Sequence, residues 1–378
     1  MSKWVSVWGH AMSRTEQSAS GYAKDITLSY PIMMPLDGNE VRLTFDNFTG
    51  LEDVKIDQVT VSKLVESTII DETTLFDVTF NGEDECILKK GQEVTSDSIK
   101  MDVHKGDVLC VRMYFGDFTS LYCGVQMFGL TGKGYFSIEN ETHSIKLPSV
   151  STKEIGWMYY LSRVDVLTKD EARSIICYGD SISALTWPDY LQASLMKDNK
   201  EVAIVRKAVS GSRVLREYDA LGYVHYGIKG TTRFPHEIDV YGADTVVILQ
   251  GINDIIHPVG VEVNEFRPWS DLPTPQDLIE GYRFFIKEAR NKNLKVYIGT
   301  LTPIKGWRTY EPFRNDIREQ VNTWIRTTDE IDGYIDFDEA IKDENDSTLI
   351  KPIYDSGDHL HPNDAGMKEM AKEAYKFI

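Results

Sequence analysis

The amino-acid sequence predicts two folded regions, an all-β sandwich followed by an α/β region built on a doubly wound parallel sheet of five strands. A chain of 378 residues is longer than a typical domain with a single hydrophobic core. The spacing of apolar residues also changes near residue 168, from a two-residue period to strand-like runs that alternate with helical ones. We therefore predict domain boundaries at 1–167 and 168–378.

The first region shows the alternation that is typical of strands with one buried face. Residues 41–46 and 76–80 alternate apolar and polar side chains, and Asn81 and Gly82 follow the second run as a turn. Residues 108–115 are apolar on both faces, as in a strand that is covered on both sides. Because helical periodicity is nearly absent, we predict a sandwich of the jelly-roll type.

The second region alternates buried strands with amphipathic helices. Five strands are predicted at 174–178, 202–205, 245–250, 294–300 and 334–337. Thr274 can cap a helix that begins at Pro275 and carries apolar residues on one face, and further helices are predicted around 317–325 and 367–374. This alternation is typical of a parallel sheet that is covered by helices on both faces.

Charge and composition exclude several classes of partner. The formal net charge of −18 and the pI near 4.9 would repel nucleic acid and anionic membrane surfaces, so a neutral small-molecule or oligosaccharide substrate is expected. The four cysteines lie in apolar runs without C-x-x-C spacing, which predicts buried thiols in a reducing compartment. The N-terminal residues lack the pattern of an export signal, so we expect a cytoplasmic protein.

Four short motifs in the second region contain the groups that ester hydrolysis requires. They read GDSI at 179–182, SGS at 210–212, GIND at 251–254 and DHLHP at 358–362. The first three each follow a predicted strand, and open parallel sheets bind ligands beyond the carboxyl ends of their strands. The four motifs are therefore expected to meet at one edge of the sheet.

These motifs supply a nucleophile with its base and acid. The hydroxyl of Ser181 needs a base to remove its proton, and His361 is the candidate base. Asp358 lies three residues before His361, close enough to accept the second ring N–H and to stabilise the imidazolium. Together these residues predict a catalytic triad.

The same motifs contain donors for the oxyanion of a tetrahedral intermediate. The backbone N–H groups of Ser181 and Gly211 and the side-chain amide of Asn253 would converge if the strand order is 2-1-3-4-5. Asp180 and Asp254 are expected to bind loop amides and to take no part in the chemistry.

The four motifs resemble the four conserved blocks of the SGNH hydrolase superfamily, the GDSL esterases. Residues 231–234, 299–303 and 321–325 are similar to segments between the blocks in a bacterial subfamily that carries an N-terminal β-domain, and residues 41–47 and 78–80 are similar to that β-domain. The resemblance covers most of the chain. It implies a flavodoxin-like catalytic domain, esterase activity, and the roles just given for the triad and the oxyanion donors.

Two positions depart from the subfamily pattern, and three side chains are candidates for substrate contact. Ile182 replaces the usual leucine, and the stretch from 181 to 189 is shorter than the subfamily resemblance implies. His257 is predicted to lie at the rim of the site, and Trp187 and Trp307 either line the pocket for the apolar face of a sugar or belong to the core.

The predicted function is hydrolysis of a short acyl ester, with acetyl on a carbohydrate as the expected substrate, and without a metal or cofactor. A lipase or thioesterase for longer acyl chains, and an inactive glycan-binding protein, are the alternatives. The run 358–361 could also ligate a metal through one carboxylate and two imidazoles. The oligomeric state stays open.

Overall fold

The computed structural model of the protein describes residues 2–15, 21–129, 132–218 and 221–378. Contacts within the chain define two compact units. One comprises residues 1–174 with 199–205, and the other comprises 175–198 with 206–378. These units differ from the predicted domains in that residues 168–174 and 199–205 group with the first unit.

The described part of the N-terminal region contains strands and a single short 3-10 helix, Glu72–Thr74. The strands are β1 (Ser2–Gly9), β2 (Ser13–Arg14), β3 (Tyr22–Ala23), β4 (Ile26–Met33), β5 (Glu40–Asp46), β6 (Val54–Ile56), β7 (Gln58–Glu66), β8 (Ile69–Ile70), β9 (Phe76–Asp77), β10 (Cys86–Leu88), β11 (Glu93–Thr95), β12 (Val108–Phe115), β13 (Thr119–Ser120), β14 (Cys123–Gln126), β15 (Gly134–Ile138), β16 (Lys153–Ile155), β17 (Trp157–Tyr159) and β18 (Leu161–Lys169).

These strands form antiparallel sheets around one apolar core. A four-stranded sheet has the order β1-β18-β5-β11, and a larger sheet has the order β16-β15-β4-β12-β7-β8 with β9 also on β7. Strand β12 is buried on both faces over most of its length, as its sequence predicted. Asn81 and Gly82 both have positive φ, at 55° and 85°, so the predicted turn is present, although β9 ends at Asp77. The all-β prediction is confirmed, and the jelly-roll topology stays a prediction.

The C-terminal region alternates strands and helices. Its strands are β19 (Arg173–Gly179), β20 (Val202–Ala208), β21 (Ala243–Leu249), β22 (Lys295–Gly299) and β23 (Gly333–Ile335). Its helices are α1 (Ser181–Ala184), α2 (Trp187–Lys197), α3 (Gly230–Glu237), α4 (Ile252–Ile256), α5 (Pro275–Asn291), α6 (Pro312–Thr327), α7 (Phe337–Ile341) and α8 (Asp364–Tyr375), with 3-10 turns at Leu221–Tyr226 and Trp269–Asp271.

The five strands β19 to β23 form one sheet in the order β20-β19-β21-β22-β23, which is 2-1-3-4-5 in chain order. The pairs β21–β22 and β22–β23 are parallel. This order places the ends of β20, β19 and β21 side by side, and these are the strands that the GDSI, SGS and GIND motifs follow. The sheet topology therefore brings the three motifs to one edge.

Local signals in the sequence account for the longest helix. Thr274 and Asp277 form the reciprocal hydrogen bonds of a capping box at the start of α5, with Pro275 at its first position. The predicted apolar face is buried and consists of Leu278, Ile279, Tyr282, Ile286 and Ala289.

Two further observations concern the cysteines and the helices. All four cysteines are buried and unpaired, as their apolar surroundings predicted. None of the helices formed by the described residues has the length and apolar character that crossing a membrane requires.

Candidate active site

Ser181 lies at the first position of the short helix α1, directly after strand β19. Asp180 caps this helix, and its side chain accepts a hydrogen bond of 3.1 Å from the N–H of Ile182. A β-carbon at Gly179 would lie 2.3 Å from the carbonyl oxygen of Leu249. Position 179 thus requires glycine because the neighbouring strand approaches closely, and its φ is not positive.

Three side chains form a continuous hydrogen-bonded line at this edge. The Oγ atom of Ser181 lies 2.8 Å from Nε2 of His361, and Nδ1 of the same ring lies 2.6 Å from Oδ2 of Asp358. The other carboxylate oxygen, Oδ1, accepts the N–H groups of Leu360 at 2.9 Å and His361 at 2.8 Å and the hydroxyl of Ser356 at 3.0 Å. The structure therefore brings together the three residues of the predicted triad.

The charge on Asp358 determines which ring nitrogen carries the proton. Burial acts to raise the pKa of Asp358, but hydrogen bonds from the His361 ring and from the backbone outweigh it and lower the pKa to about 2. The carboxylate is thus ionised and only accepts hydrogen bonds, so Nδ1 of His361 carries its hydrogen toward Asp358. Nε2 is then free to accept the hydroxyl proton of Ser181.

A second aspartate–histidine pair lies beside the first. Nδ1 of His359 is 2.5 Å from Oδ2 of Asp355, and the side chain of His359 is 48% exposed. His359 has a φ of 65°. Gly306 packs closely on its ring, since a β-carbon on Gly306 would lie 2.7 Å from Cγ of His359. Each imidazole pairs with its own carboxylate. Asp358, His359 and His361 do not form one of the clusters whose ligand atoms lie close enough together to hold a metal ion.

The three predicted oxyanion donors lie on the loops that follow β19, β20 and β21. Gly211 has a φ of 78°, which only glycine adopts without strain. The backbone N–H groups of Ser181 and Gly211 donate to no other residue within the described chain. Asn253 is buried, and its Nδ2 atom donates one hydrogen bond of 3.1 Å to the carbonyl oxygen of Ser212, which leaves a second N–H on the same nitrogen.

Asp180 and Asp254 bind loop amides, as the sequence predicted. The carboxylate of Asp254 accepts the N–H groups of Val214 at 2.7 Å and Leu215 at 2.9 Å, and so holds the loop that follows Gly211. Burial is the main cause that raises the pKa of Asp180 to about 7 and that of Asp254 to about 6.

We expect Asp180→Asn to change how stability depends on pH. Because the folded protein holds a proton on Asp180 up to about pH 7, and the unfolded chain releases it near the ordinary value of 3.8, this group contributes less stability as pH rises through that window. Asparagine stays neutral and still accepts from Ile182. The melting temperature of the variant minus that of the wild type should therefore increase from pH 5 to pH 8. A difference that stays constant over this range would contradict the raised pKa.

An aromatic cluster covers the oxyanion loop. A β-carbon at Gly211 would lie 2.2 Å from the Tyr226 ring, so this ring packs directly on the glycine. Tyr226 stacks on His257, with ring centroids 5.5 Å apart, and the hydroxyl of Tyr218 shares a hydrogen bond with Nδ1 of His257. Burial lowers the pKa of His257 well below its usual range. The prediction of His257 as a rim residue is therefore wrong, because the ring is buried under these aromatic side chains.

The two candidate tryptophans have different environments. Trp187 is fully buried at the start of α2 and packs on Phe337, with ring centroids 5.1 Å apart. Its prediction as a substrate contact is therefore wrong, because its ring belongs to the core. Trp307 is half-buried and meets the His361 ring edge to face, with centroids 6.2 Å apart. Only Trp307 thus lies against the triad, and its contact with substrate stays a prediction.

Sequence reasoning missed two features of the site. Tyr226 belongs to a stretch without strand or helix periodicity, and the signal that could have identified it is the density of aromatic residues between 218 and 226. The second feature is a buried network in which Arg233 and Gln250 both donate to the hydroxyl of Ser212, at 3.2 and 2.9 Å. An arginine within a helix is usually exposed, so no local signal indicated its burial.

Several solved structures are similar to the chain at low identity. A GDSL-like lipase from Bacteroides thetaiotaomicron is 15% identical, with 54% of this chain and 87% of that chain covered and a TM-score of 0.37. An acetyl xylan esterase variant from Geobacillus stearothermophilus is 17% identical, with coverages of 54% and 93% and a TM-score of 0.40. The acetyl xylan esterase AlAXEase is 16% identical, with coverages of 54% and 99% and a TM-score of 0.40. Similarity at this level assigns no activity to the chain.

A match to a family model is more informative. No curated protein sequence matches the chain closely enough to be counted as a relative. Residues 177–369, just over half of the chain, match the model of the GDSL-like lipase/acylhydrolase family. This range includes Ser181, His361 and Asp358, together with the oxyanion-loop residues Gly211 and Asn253. The chain therefore belongs to the GDSL-like lipase/acylhydrolase family.

Proposed function

We propose that the protein is a serine esterase that removes an acetyl group from a carbohydrate or a similar neutral alcohol through an acyl-enzyme on Ser181. The observation that carries the proposal is the unbroken hydrogen-bonded line from Asp358 through His361 to Ser181, with distances of 2.6 and 2.8 Å. Membership of an acylhydrolase family supports the same reaction class.

In the acylation step, Oγ of Ser181 attacks the ester carbonyl carbon while Nε2 of His361 takes the hydroxyl proton. Asp358 stabilises the resulting imidazolium through its hydrogen bond to Nδ1. The carbonyl oxygen becomes negatively charged as the tetrahedral intermediate forms. When this intermediate collapses, the bond to the alcohol oxygen breaks and His361 returns the proton to the leaving alcohol.

The developing negative oxygen needs donors that are already in place. The N–H groups of Ser181 and Gly211, which have no other acceptor in the described chain, and the second N–H of Asn253 are suited to this role. Deacylation then repeats the sequence with water as the nucleophile and His361 as its base, and it releases acetate and free Ser181.

Three features support a short acyl group and a neutral alcohol. The Tyr226 ring packs on Gly211 and restricts the space beside the proposed oxyanion site. The half-buried Trp307 ring stands against His361 and suits the apolar face of a sugar. The net charge of −18 disfavours an anionic substrate.

Acyl-chain preference distinguishes this proposal from its alternatives. We expect kcat/KM for p-nitrophenyl acetate to exceed that for the octanoate by about tenfold or more, since a single methylene group beyond the fitted size already costs about 1–3 kcal/mol of discrimination. The measurement is the initial rate of nitrophenol release over the series from acetate to octanoate. The reverse ranking would support a lipase or thioesterase.

The alcohol can be identified with acetylated oligosaccharides. Loss of acetyl groups, followed by mass spectrometry, should occur with the wild type and not with Ser181→Ala. If p-nitrophenyl acetate is hydrolysed and no acetylated sugar is, then the carbohydrate part of the proposal is wrong and the esterase part stands. Absence of all hydrolysis, together with binding of the unmodified sugar, would indicate an inactive glycan-binding protein.

A further inference from the structure

Arg233 of helix α3 is a buried cation beneath the active site, with 2% of its side chain exposed. Its Nη2 atom donates to the carbonyl oxygen of Gly179 at 2.6 Å and to Oγ of Ser212 at 3.2 Å. Its Nη1 atom donates to the carbonyl oxygen of Lys207 at 3.3 Å. One guanidinium thus contacts the end of β19, the end of β20 and the loop after β20.

The guanidinium is itself held on several sides. It lies over the ring of Tyr178, 4.1 Å from the ring centroid, and it forms an ion pair with the buried carboxylate of Glu237 one helical turn further along. The ion pair compensates a charge that would otherwise be costly to bury. Arg233 is therefore both neutralised and oriented, and its position is set by the core.

Its two contacts at Gly179 and Ser212 flank the proposed chemical groups. Gly179 lies two residues before Ser181, and Ser212 follows Gly211 directly. Ser212 is fully buried, its hydroxyl also accepts from Gln250 at 2.9 Å, and its carbonyl oxygen accepts from Asn253. All three oxyanion donors are thus connected to Arg233 through one or two residues.

We propose that Arg233 is a positioning residue for ester hydrolysis, which sets the separation between the nucleophile turn and the oxyanion loop so that their N–H groups meet one oxygen atom. This inference rests on the proposed esterase function, since it assigns Arg233 to that reaction. Arg233 contacts neither substrate nor reacting atoms and acts through Gly179 and Ser212.

The role requires an arginine. The planar fork of a guanidinium presents several donors with fixed spacing, so it can bind two backbone segments and a hydroxyl at once. A lysine ammonium keeps the charge near Glu237, but its one nitrogen cannot replace both Nη1, which donates to Glu237 and Lys207, and Nη2, which donates to Gly179 and Ser212. A displacement of about 1 Å in a catalytic group can cost about a hundredfold in rate.

The test uses two variants that retain the buried charge balance. Arg233→Lys keeps a cation beside Glu237, and Ser212→Ala removes one hydroxyl acceptor from a small side chain. We expect each variant to lower kcat for p-nitrophenyl acetate by about tenfold to a hundredfold with KM within about twofold. This pattern indicates loss of an interaction that acts in the transition state.

The inhibition constant of a transition-state analogue distinguishes a positioning role from a purely structural one. A methyl trifluoromethyl ketone adds to a serine hydroxyl and places an oxyanion at the proposed site. Its inhibition constant should rise in Arg233→Lys and Ser212→Ala by the same factor by which kcat/KM falls. Unchanged inhibition constants together with lowered melting temperatures would show that Arg233 only stabilises the fold.

Arg112 offers a matched control in the N-terminal unit. It is also buried, and its guanidinium also donates to backbone carbonyl oxygens, in this case the three of Glu141, Ser144 and Thr68. Arg112→Lys should lower the melting temperature and leave kcat within about twofold. An equal fall in kcat for Arg112→Lys and Arg233→Lys would overturn the inference.

The outcomes separate this inference from the proposed function. If Ser181→Ala retains full activity, or if the wild type hydrolyses no ester, the proposed function fails. If Ser181→Ala is inactive and the wild type is active, but folded Arg233→Lys and Ser212→Ala both match the wild type in kcat, the inference about Arg233 alone is wrong.

Discussion

Replacement of Ser181 by alanine should lower kcat for p-nitrophenyl acetate by about 10⁴-fold or more, because no other hydroxyl occupies the position 2.8 Å from Nε2 of His361 in the described chain. The residual rate would come from the oxyanion donors and from binding alone. The side chain is half-buried, and among the described residues its only hydrogen-bond partner is His361. We therefore expect the melting temperature to change little.

Ser183 provides the matched control for this variant. It lies in the same short helix and is buried, and its hydroxyl has no hydrogen-bond partner in the described chain. Removing an unsatisfied buried hydroxyl costs little, so Ser183→Ala should keep both the rate and the stability within a small factor. If Ser181→Ala retained more than about a tenth of the rate while remaining folded, Ser181 would not be the nucleophile.

Asp358→Asn should have the second-largest effect, a fall of about 10⁴-fold in kcat with little change in stability. Three donors, the N–H groups of Leu360 and His361 and the Ser356 hydroxyl, converge on Oδ1 of the carboxylate. The amide oxygen of asparagine will take this position, which turns its NH₂ group toward Nδ1 of His361. The imidazole then carries its hydrogen on Nε2 and cannot accept the proton of Ser181.

The neighbouring pair tests whether this effect is specific. Asp355 binds His359 in the same way as Asp358 binds His361. Its Oδ2 atom contacts the imidazole, and its Oδ1 atom accepts the backbone N–H groups of Gly357 and His359. Of these two histidines, His361 contacts Ser181 and His359 does not, so Asp355→Asn should change kcat by about twofold or less. Kinetics of both variants with p-nitrophenyl acetate decide the assignment. A larger loss in Asp355→Asn than in Asp358→Asn would move the base to the other pair.

Much of the α/β region follows from local sequence because strands and helices are largely specified by short-range patterns. The capping box at Thr274 and the apolar face of α5 are both present as predicted. The β19 and β20 strands begin and end within three residues of their predicted bounds. The triad residues could be identified for a similar reason, since each lies in a short motif at the end of a strand or before a helix.

The predictions that were wrong concern burial, which depends on residues far away in the chain. Trp187 is six residues from Ser181, but its ring is fully buried and packs on Phe337. His257 is four residues from Asn253, and its ring is covered by Tyr218 and Tyr226. Proximity in sequence to a catalytic residue says little about which way a large side chain points.

The sequence by itself determined the chemistry that is available, because a hydroxyl, an imidazole, a carboxylate and the glycine of a left-handed turn can be read from residue types and spacing. The tertiary structure alone decided which groups meet. It brings Oγ of Ser181 within 2.8 Å of Nε2 of His361, 180 residues away, and so makes His361 rather than His359 the candidate base. It also places the Arg233 guanidinium in contact with Gly179 and Ser212, which flank the nucleophile turn and the oxyanion loop. The physical reason is that hydrogen bonds and burial depend on distances of a few ångströms, which only the packing of the whole sheet and its helices determines.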